Sequence, residues 1–328
     1  MNKRKALVTG CCGFIGSHLT RALHQHGWEV EGVDDTSAGS FEALAGIDFK
    51  VVPADALHVF DNQDYDLSTN MLVIHGDMSH DSVLDRIKSG TYDVIFHLAA
   101  NSSVANSIEL PVETFETNVF KTVAIFQAAI GNVDRVVFAS SAAVYGDAGC
   151  PVYEDTPFTM PASPYGLHKL QCEQTAELFG TAYDLDVVSL RYFNVYGPGQ
   201  VGTSLIASWC NSLRNNDSLL LEGDGNQTRD FCFIDDVVNV TIMAANYVGC
   251  FAGRTYNVAT GVGTSNNQIL QYLQEKYPGL QVENVDWRPG DITHSRADVT
   301  RIDQELKCDN RLDFFVGLDK TLAWWELD

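Results

Sequence analysis

The chain is short of positive charge. Its 328 residues carry 21 Lys and Arg against 43 Asp and Glu, a formal net charge of -22. A surface that negative repels nucleic acid and anionic membranes, which argues against both as partners. Any anionic ligand must then be held by particular arginines and by backbone dipoles. Solubility, or a saline habitat, accounts for the acidic excess. Long apolar runs are missing too: none approaches the roughly 18 to 20 residues that a membrane span requires. Met1-Asn2-Lys3-Arg4-Lys5 leads straight into a short apolar strand, without the long apolar core and cleavage site of a secretory leader. The eight cysteines show no CxxC or Cys/His spacing. No metal site is therefore expected, and the reading is of reduced, mostly buried thiols in a cytoplasmic protein. Internal repeats and low-complexity tracts are also absent.

What is present is a large apolar fraction, 45% of residues, in a chain long enough for two domains. Ala6-Leu7-Val8-Thr9 reads as a strand and Ser17 to Leu23 as a helix, with Gly10, Gly13 and Gly16 in the turn between them. Glycines there let backbone N–H groups and a helix N-terminus meet a pyrophosphate with no Cβ in the way. The spacing is GxxGxxG rather than GxGxxG, and it gains weight from its strand-turn-helix context. A second strand, Glu29 to Val33, ends in Asp34-Asp35. A carboxylate at that place accepts hydrogen bonds from ribose hydroxyls and repels a 2'-phosphate, which predicts NAD over NADP.

Residues 36 to 71 are polar and irregular, and are read as one or two helices and loops. Leu72 to Met78 gives a third strand whose end sets Asp77 and Met78 beside an adenine. Val94 to Ala100 is a near-continuous apolar run of the kind buried on both faces of a parallel sheet, and the small Ala99 and Ala100 admit a flat cofactor. Helical patterns around 81–90 and 112–130 supply crossovers. Val136 to Ser141 and Val187 to Phe193 are the fifth and sixth strands. This alternation predicts an α/β fold: a doubly wound parallel (Rossmann) sheet binding ligands at its C-terminal strand ends.

Between the last two strands lies Ser163-Pro164-Tyr165-Gly166-Leu167-His168-Lys169. Pro164 suits the first turn of a helix, which places Tyr165 and Lys169 on one face, one turn apart. A phenol with a pKa of about 10 is a poor base at neutral pH unless a nearby positive charge stabilises the phenolate. Lys169 offers that charge, and an oxidised nicotinamide ring would offer another. A Tyr and a Lys so spaced also occur on ordinary exposed helices. The catalytic reading draws on the neighbouring strand ends, which carry every other residue singled out.

From Asn194 the alternation breaks. A helix at about 203–214, a turn-rich connection from Gly223 to Phe231, a return at Cys232 to Asp236, a strand at Thr255 to Val258, a helix near 265–277 and Arg288-Pro289-Gly290-Asp291 follow. The expected division is a cofactor domain of residues 1–193 with a returning segment at about 232–260. A smaller mixed α/β substrate domain then comprises residues 194–231 and 261–328.

The motifs TGCCGFIGSHL at 9–19, HLAA at 97–100, SSAAVYGD at 140–147, YGLHK at 165–169, RYFNVYGPGQ at 191–200, GDGNQTRDF at 223–231 and RPGD at 288–291 stand in the order found in one family. Over essentially its full length the chain resembles the extended short-chain dehydrogenase/reductases, in particular the nucleotide-sugar 4-epimerases. The resemblance implies that Tyr165 is the acid/base, Lys169 its electrostatic partner and a ribose contact, and Ser141 the hydroxyl bridging tyrosine and sugar, in preference to Ser140. It places Phe14, Ile15, Leu98 and Asn118 at the NAD site with the glycines, Asp34, Asp77, Met78, Ala99 and Ala100. It assigns Arg229 and Arg288, in loops of the small domain, to a nucleotide diphosphate, with Asn194 beside them and Asp291 orienting Arg288 or a ribose hydroxyl. Guanidinium forks suit phosphate oxygens and stay charged.

Sugar-nucleotide dehydratases of the resembled family carry an acidic pair directly after the catalytic hydroxyl. Here those positions are Ala142 and Ala143, and the glutamate of the related decarboxylases is missing too. The resemblance therefore implies 4-epimerisation. Ser295 stands where epimerases restricted to UDP-glucose and UDP-galactose carry a bulky tyrosine, and with Ser102 and Ser103 it resembles the form acting on UDP-N-acetylhexosamines. UDP-glucuronate epimerases fit much of the same pattern. A net NAD(P)-dependent oxidoreductase and a non-catalytic NAD-binding scaffold are the alternatives from other classes, the intact Ser, Tyr and Lys speaking against the last. Family members commonly dimerise through a four-helix bundle, for which residues 112–130 and 165–180 are suitable. The departure from the pattern is Cys11-Cys12 within the glycine loop, where oxidation would block cofactor binding.

Overall fold

The computed structural model describes residues 3–60, 71–157, 159–286, 292–308 and 311–327. In chain order the first half runs β1 (Lys5–Thr9), α1 (Phe14–Gln25), β2 (Glu29–Asp34), β3 (Phe49–Pro53), α2 (Leu57–Phe60), β4 (Met71–His75), α3 (Asp81–Lys88), β5 (Val94–His97), α4 (Val104–Glu109) and α5 (Pro111–Phe115). A π-helical turn at Glu116–Phe120 leads into α6 (Lys121–Ala129), followed by β6 (Arg135–Ser141), α7 (Pro164–Tyr183) and β7 (Val187–Tyr192). The remainder is β8 (Asn194–Tyr196), α8 (Leu205–Asn215), β9 (Leu219–Glu222), β10 (Thr228–Phe233), α9 (Ile234–Asn246), β11 (Thr255–Val258), β12 (Gly263–Ser265), α10 (Asn266–Lys276), β13 (Val282–Val285), α11 (Thr300–Leu306) and α12 (Phe314–Trp324).

Eight strands form one sheet in the order β11-β7-β6-β5-β1-β2-β4-β3. The pairings of β1 with β2 and β5, of β4 with β2 and β3, and of β5 with β6 are parallel. The chain fills one side of β1 with β2, the edge strand β3 and then β4 between them, and resumes on the other side with β5, so the order reverses between β1 and β5. Ligands bind at such a switch point in open α/β sheets. The expected doubly wound sheet is thus present. Its middle strands are buried on both faces, which is why they read as unbroken apolar runs. Leu7, Ile95 and Phe138 from these strands pack with Val83 and Ile87 of α3, Ile125 and Phe126 of α6, and Cys172 and Ala176 of α7.

The stretch 36–71 departs from its reading as helices and loops, because Phe49–Pro53 is a strand. It pairs in parallel with β4 from Phe49↔Met71 to Pro53↔His75. As the edge strand it leaves Lys50, Val51 and Pro53 exposed, so its pattern lacks the continuous burial of its neighbours. A proline is tolerated at such an edge.

Two compact units divide the chain: Met1–Val144, Ser163–Arg191 and Val238–Tyr256 form one, and Tyr145–Ala162, Tyr192–Val237 and Asn257–Asp328 the other. The second differs from the expected substrate domain by including residues 145–162, and the returning segment is correspondingly 238–256. Hydrogen bonds to residues 296, 298 and 257 explain the change. Val152 N–H donates to Arg296 O at 2.9 Å and Asp298 N–H to Val152 O at 2.8 Å, while Asn257 Nδ2 donates to Val152 O at 3.2 Å. Within this unit β10 lies between β8, to which it is parallel, and β12, to which it is antiparallel, and β9 pairs with β13. Tyr196, Phe231, Phe233 and Phe314 form an aromatic cluster with ring centroids 5.0 to 6.0 Å apart. No helix among the described residues is long and apolar enough to cross a membrane.

Candidate functional site

In the first unit, β1 turns at Gly10, whose φ of +73° disfavours any residue with a Cβ. A Cβ on Gly10 would stand 2.9 Å from Ala99 N, and one on Gly16 only 1.9 Å from Gly10 O. The loop therefore lies tight against the end of β5. Gly13 caps α1 without a side-chain hydrogen bond, which leaves the first-turn N–H groups, where Phe14 and Ile15 stand, to meet an anion. Thr9 Oγ1 accepts from Leu98 N and Ala99 N, both at 3.1 Å, and so joins the two strand ends.

Behind these ends runs a buried chain of hydrogen bonds. Thr9 Oγ1 meets His97 Nδ1 at 2.7 Å, His97 Nε2 meets Thr122 Oγ1 at 2.9 Å, and the Thr122 hydroxyl donates to Asn118 O at 2.7 Å. Complete burial draws the His97 pKa down to about 3, so the ring is neutral. The Asn118 side chain, expected at the cofactor, is turned to Asn101: its Oδ1 accepts from Asn101 N at 2.8 Å and its Nδ2 donates to Asn101 O at 2.9 Å. It positions the loop that follows Ala100.

Asp34, at the end of β2, accepts from Cys12 N and Thr36 N, each at 2.8 Å. Burial raises its pKa against the pull of those bonds. The carboxylate is thereby fixed beside the glycine loop. Asp77 pairs with Lys121 at 2.6 Å, and Met78 packs into the core, so their side chains are already engaged.

Ser141 closes β6, and its Oγ accepts from Ala143 N at 3.1 Å. Ser163 caps α7 by accepting from Gly166 N at 3.2 Å, with Pro164 in the first turn, as the sequence predicts. Tyr165 N is held by Ser107 Oγ at 3.1 Å. Burial raises the Tyr165 phenol above its ordinary pKa, and a hydrogen bond with Ser141 opposes the rise. Lys169 is buried on the same helix, 5.9 Å from the Tyr165 ring centroid, and burial draws its ammonium down to about 8. Ser141, Tyr165 and Lys169 thus come together in one unit, as a phenol, a hydroxyl and a buried cation able to move one proton.

One turn beyond Lys169, Glu173 receives Arg191 in a fork, Nε to Oε1 at 2.9 Å and Nη2 to Oε2 at 2.7 Å, and also accepts from Ser140 Oγ. Sequence reasoning missed this pair and missed Ser107 as the anchor of Tyr165. The i+4 spacing of Lys169 and Glu173 was the one signal available.

The second unit holds a cavity of about 200 Å³ whose lining includes Asn194, Gln200, Glu222, Gln227, Arg229 and Asn266. Gln227 and Asn266 are buried, and their side-chain oxygens have no protein partner. Arg229 was expected in a loop but lies in β10, opposite Thr264 of β12. The turn residues before it end at Gln227, and the strand begins at Thr228. Ser295 is buried beside the same strand and donates its N–H to Thr228 O at 3.0 Å. Ser103 caps α4 by accepting from Asn106 N at 3.1 Å, and Ser102 is exposed. Arg288 and Asp291 lie outside the described residues.

Residues 6–259 match the NAD dependent epimerase/dehydratase family. The UDP-glucose 4-epimerase of Mycolicibacterium smegmatis is 33% identical over 98% of this chain and 98% of its own. Among solved structures, the UDP-N-acetylglucosamine 4-epimerase of Methanobrevibacter ruminantium M1, in complex with UDP-N-acetylmuramic acid, superposes with a TM-score of 0.84 at 30% identity and 99% coverage of both chains. A dTDP-glucose 4,6-dehydratase from Streptomyces venezuelae with NAD bound gives 0.85 at 30% identity, covering 98% of this chain and 97% of the other.

Proposed function

The chain belongs to the NAD dependent epimerase/dehydratase family and is an NAD-dependent nucleotide-sugar 4-epimerase, and from that premise we propose that its substrates are UDP-N-acetylglucosamine and UDP-N-acetylgalactosamine. The observation that carries the substrate reading is the small, buried Ser295; the reaction class fits the grouping of Ser141, Tyr165 and Lys169 with methyl side chains at Ala142 and Ala143. Elimination of water needs a further acid and base, and these two positions provide neither. A sugar oxidised at C4 then has only the return path, to either epimer.

Gly10, Gly13 and Gly16, the first turn of α1, Asp34 and the stretch Leu98 to Ala100 would hold NAD. When bound, NAD supplies the hydride acceptor and then the donor, unchanged over a full turnover. Tyr165 as phenolate takes the proton of the sugar 4-hydroxyl and later returns it, Ser141 hydrogen-bonds to both oxygens, and the Lys169 cation favours the phenolate. Arg229, Asn194, Arg288 and Asp291 bind the UDP portion, which lets the oxidised sugar turn and present its other face. Ser295 is the position read as leaving room for an N-acetyl group, and Ser102 and Ser103 are proposed as sugar contacts.

Purified protein is to be offered UDP-N-acetylglucosamine, UDP-glucose and UDP-glucuronate separately, and the products resolved by chromatography. Conversion of the first to its 4-epimer without net NADH supports the reading. Turnover of UDP-glucuronate alone replaces the substrate, stoichiometric NADH replaces epimerisation with net oxidation, and loss of water makes the protein a dehydratase.

A second copy of the chain is the proposed partner, through residues 112–130 and 165–180. Val112, Phe120 and Leu178 are exposed there at 78%, 66% and 60%.

A further inference from the structure

The glycine loop carries two adjacent cysteines. Side chains of neighbouring residues in extended chain point to opposite sides, but the turn out of β1 brings these two sulfurs within 3.8 Å. The two sulfurs and a carboxylate oxygen of Asp34 all lie within 4.8 Å of one another. Room for the Cys11 sulfur comes from Gly32 of β2, where a Cβ would stand 2.4 Å from it. The 2.8 Å bond from Cys12 N to Asp34 Oδ2 holds the carboxylate against the loop.

Two thiolates bound to one tetrahedral zinc ion at about 2.3 Å each stand about 3.8 Å apart. The sulfurs therefore already have the separation of a chelating pair. We propose that Cys11, Cys12 and Asp34 form a binding site for a thiophilic divalent cation of the zinc and cadmium class, and that this ion and the dinucleotide exclude each other. Two thiol protons leave to solvent, two metal–sulfur bonds form, and a carboxylate oxygen gives the third bond, with a fourth position for water. No electron is transferred. The ligand set carries one negative charge before binding, from the carboxylate, and one after it, so burial does not oppose the ion through a change in net charge. Soft sulfur ligands favour zinc and cadmium over magnesium and calcium. The exclusion rests on the proposed placement of the adenosine ribose at Asp34, since the ion and the ribose would use the same carboxylate.

The holoprotein is titrated with cadmium chloride, with and without excess NAD, following the near-ultraviolet thiolate-to-cadmium charge-transfer band. Nucleotide content is measured after gel filtration. The expected result is one cadmium per chain, displaced by zinc, with added NAD weakening binding at least tenfold. The Cys150→Ser/Cys250→Ser variant, which removes the two exposed thiols, keeps the band. Cys12→Ser weakens cadmium binding at least about tenfold, and Cys11→Ser does the same. Should Cys11→Ser fail to fold, Cys12→Ser alone decides. A band that survives Cys12→Ser, or that ignores NAD in a protein that retains it, overturns the inference and leaves the proposed epimerase standing. Cadmium bound at these cysteines in a protein that never carries NAD would instead overturn the cofactor placement and keep the metal site.

Discussion

Lys169 Nζ donates a 2.7 Å hydrogen bond to the carbonyl of Ala139, two residues before Ser141 on β6. The lysine thus ties the helix carrying the phenol to the strand carrying the hydroxyl. Its pKa of about 8 means that the cation persists below that pH and disappears above it. If the cation favours the Tyr165 phenolate, kcat/KM should fall as pH rises through about 8. Lys169→Arg, whose charge persists above pH 12, should lose that alkaline fall even if its rate is lower. Lys169→Met should lower kcat by about 10²- to 10⁴-fold. A pH–rate profile of the three proteins checks this.

Glu173 and Arg191 form a buried ion pair, with 4% and 6% of their side chains exposed. Arg191→Ala should cost about 3 to 5 kcal/mol, because it leaves a carboxylate buried without its cation. The double variant Glu173→Leu/Arg191→Met, which removes both charges, should cost less than Arg191→Ala alone. Urea denaturation of the three variants reads the difference.

This pair also shows where sequence reading stops. The glycine loop, the strand ends and the Tyr165 helix were legible because each needs particular residue types at particular spacings: glycines where a strand turns into a helix, apolar runs in the strands, proline in a first turn. Glu173 and Arg191 are 18 residues apart on different elements, and no local rule pairs them. Edge strand β3 was hidden because an exposed face accepts lysine and proline. Arg229 looked like a loop residue because glycine, aspartate and asparagine crowd the turn just before its strand. Asn118 was named for the cofactor by resemblance alone, and its two hydrogen bonds to the Asn101 backbone join elements that no local pattern pairs.

Gly16→Ala tests the cofactor cradle. The new methyl group would stand 1.9 Å from Gly10 O, a backbone atom that moves only with the whole loop. The variant is expected to lose NAD on gel filtration while the sheet remains folded by circular dichroism. Retention of NAD at the wild-type level would remove the glycine loop from the binding site.

Val112→Glu and Leu178→Glu change residues that are exposed within one chain, so each should alter stability by no more than about 0.5 kcal/mol. If residues 112–130 and 165–180 seat a second copy, either charge should convert a dimer to a monomer. Sedimentation of the wild type and both variants decides it.

His97 should make the protein acid-sensitive. Its ordinary pKa is about 6.5 and burial lowers it to about 3. The unfolded chain therefore binds a proton that the folded chain refuses between those values. Stability from this residue is complete above about pH 6.5 and is lost as pH falls toward 3, with a slope of up to about 1.4 kcal/mol per pH unit. His97→Asn should lower stability at neutral pH, because Thr9 and Thr122 lose their shared partner, yet flatten the slope below pH 6.5. Urea midpoints across that range separate the two effects. An acid slope unchanged in His97→Asn would assign it to other groups.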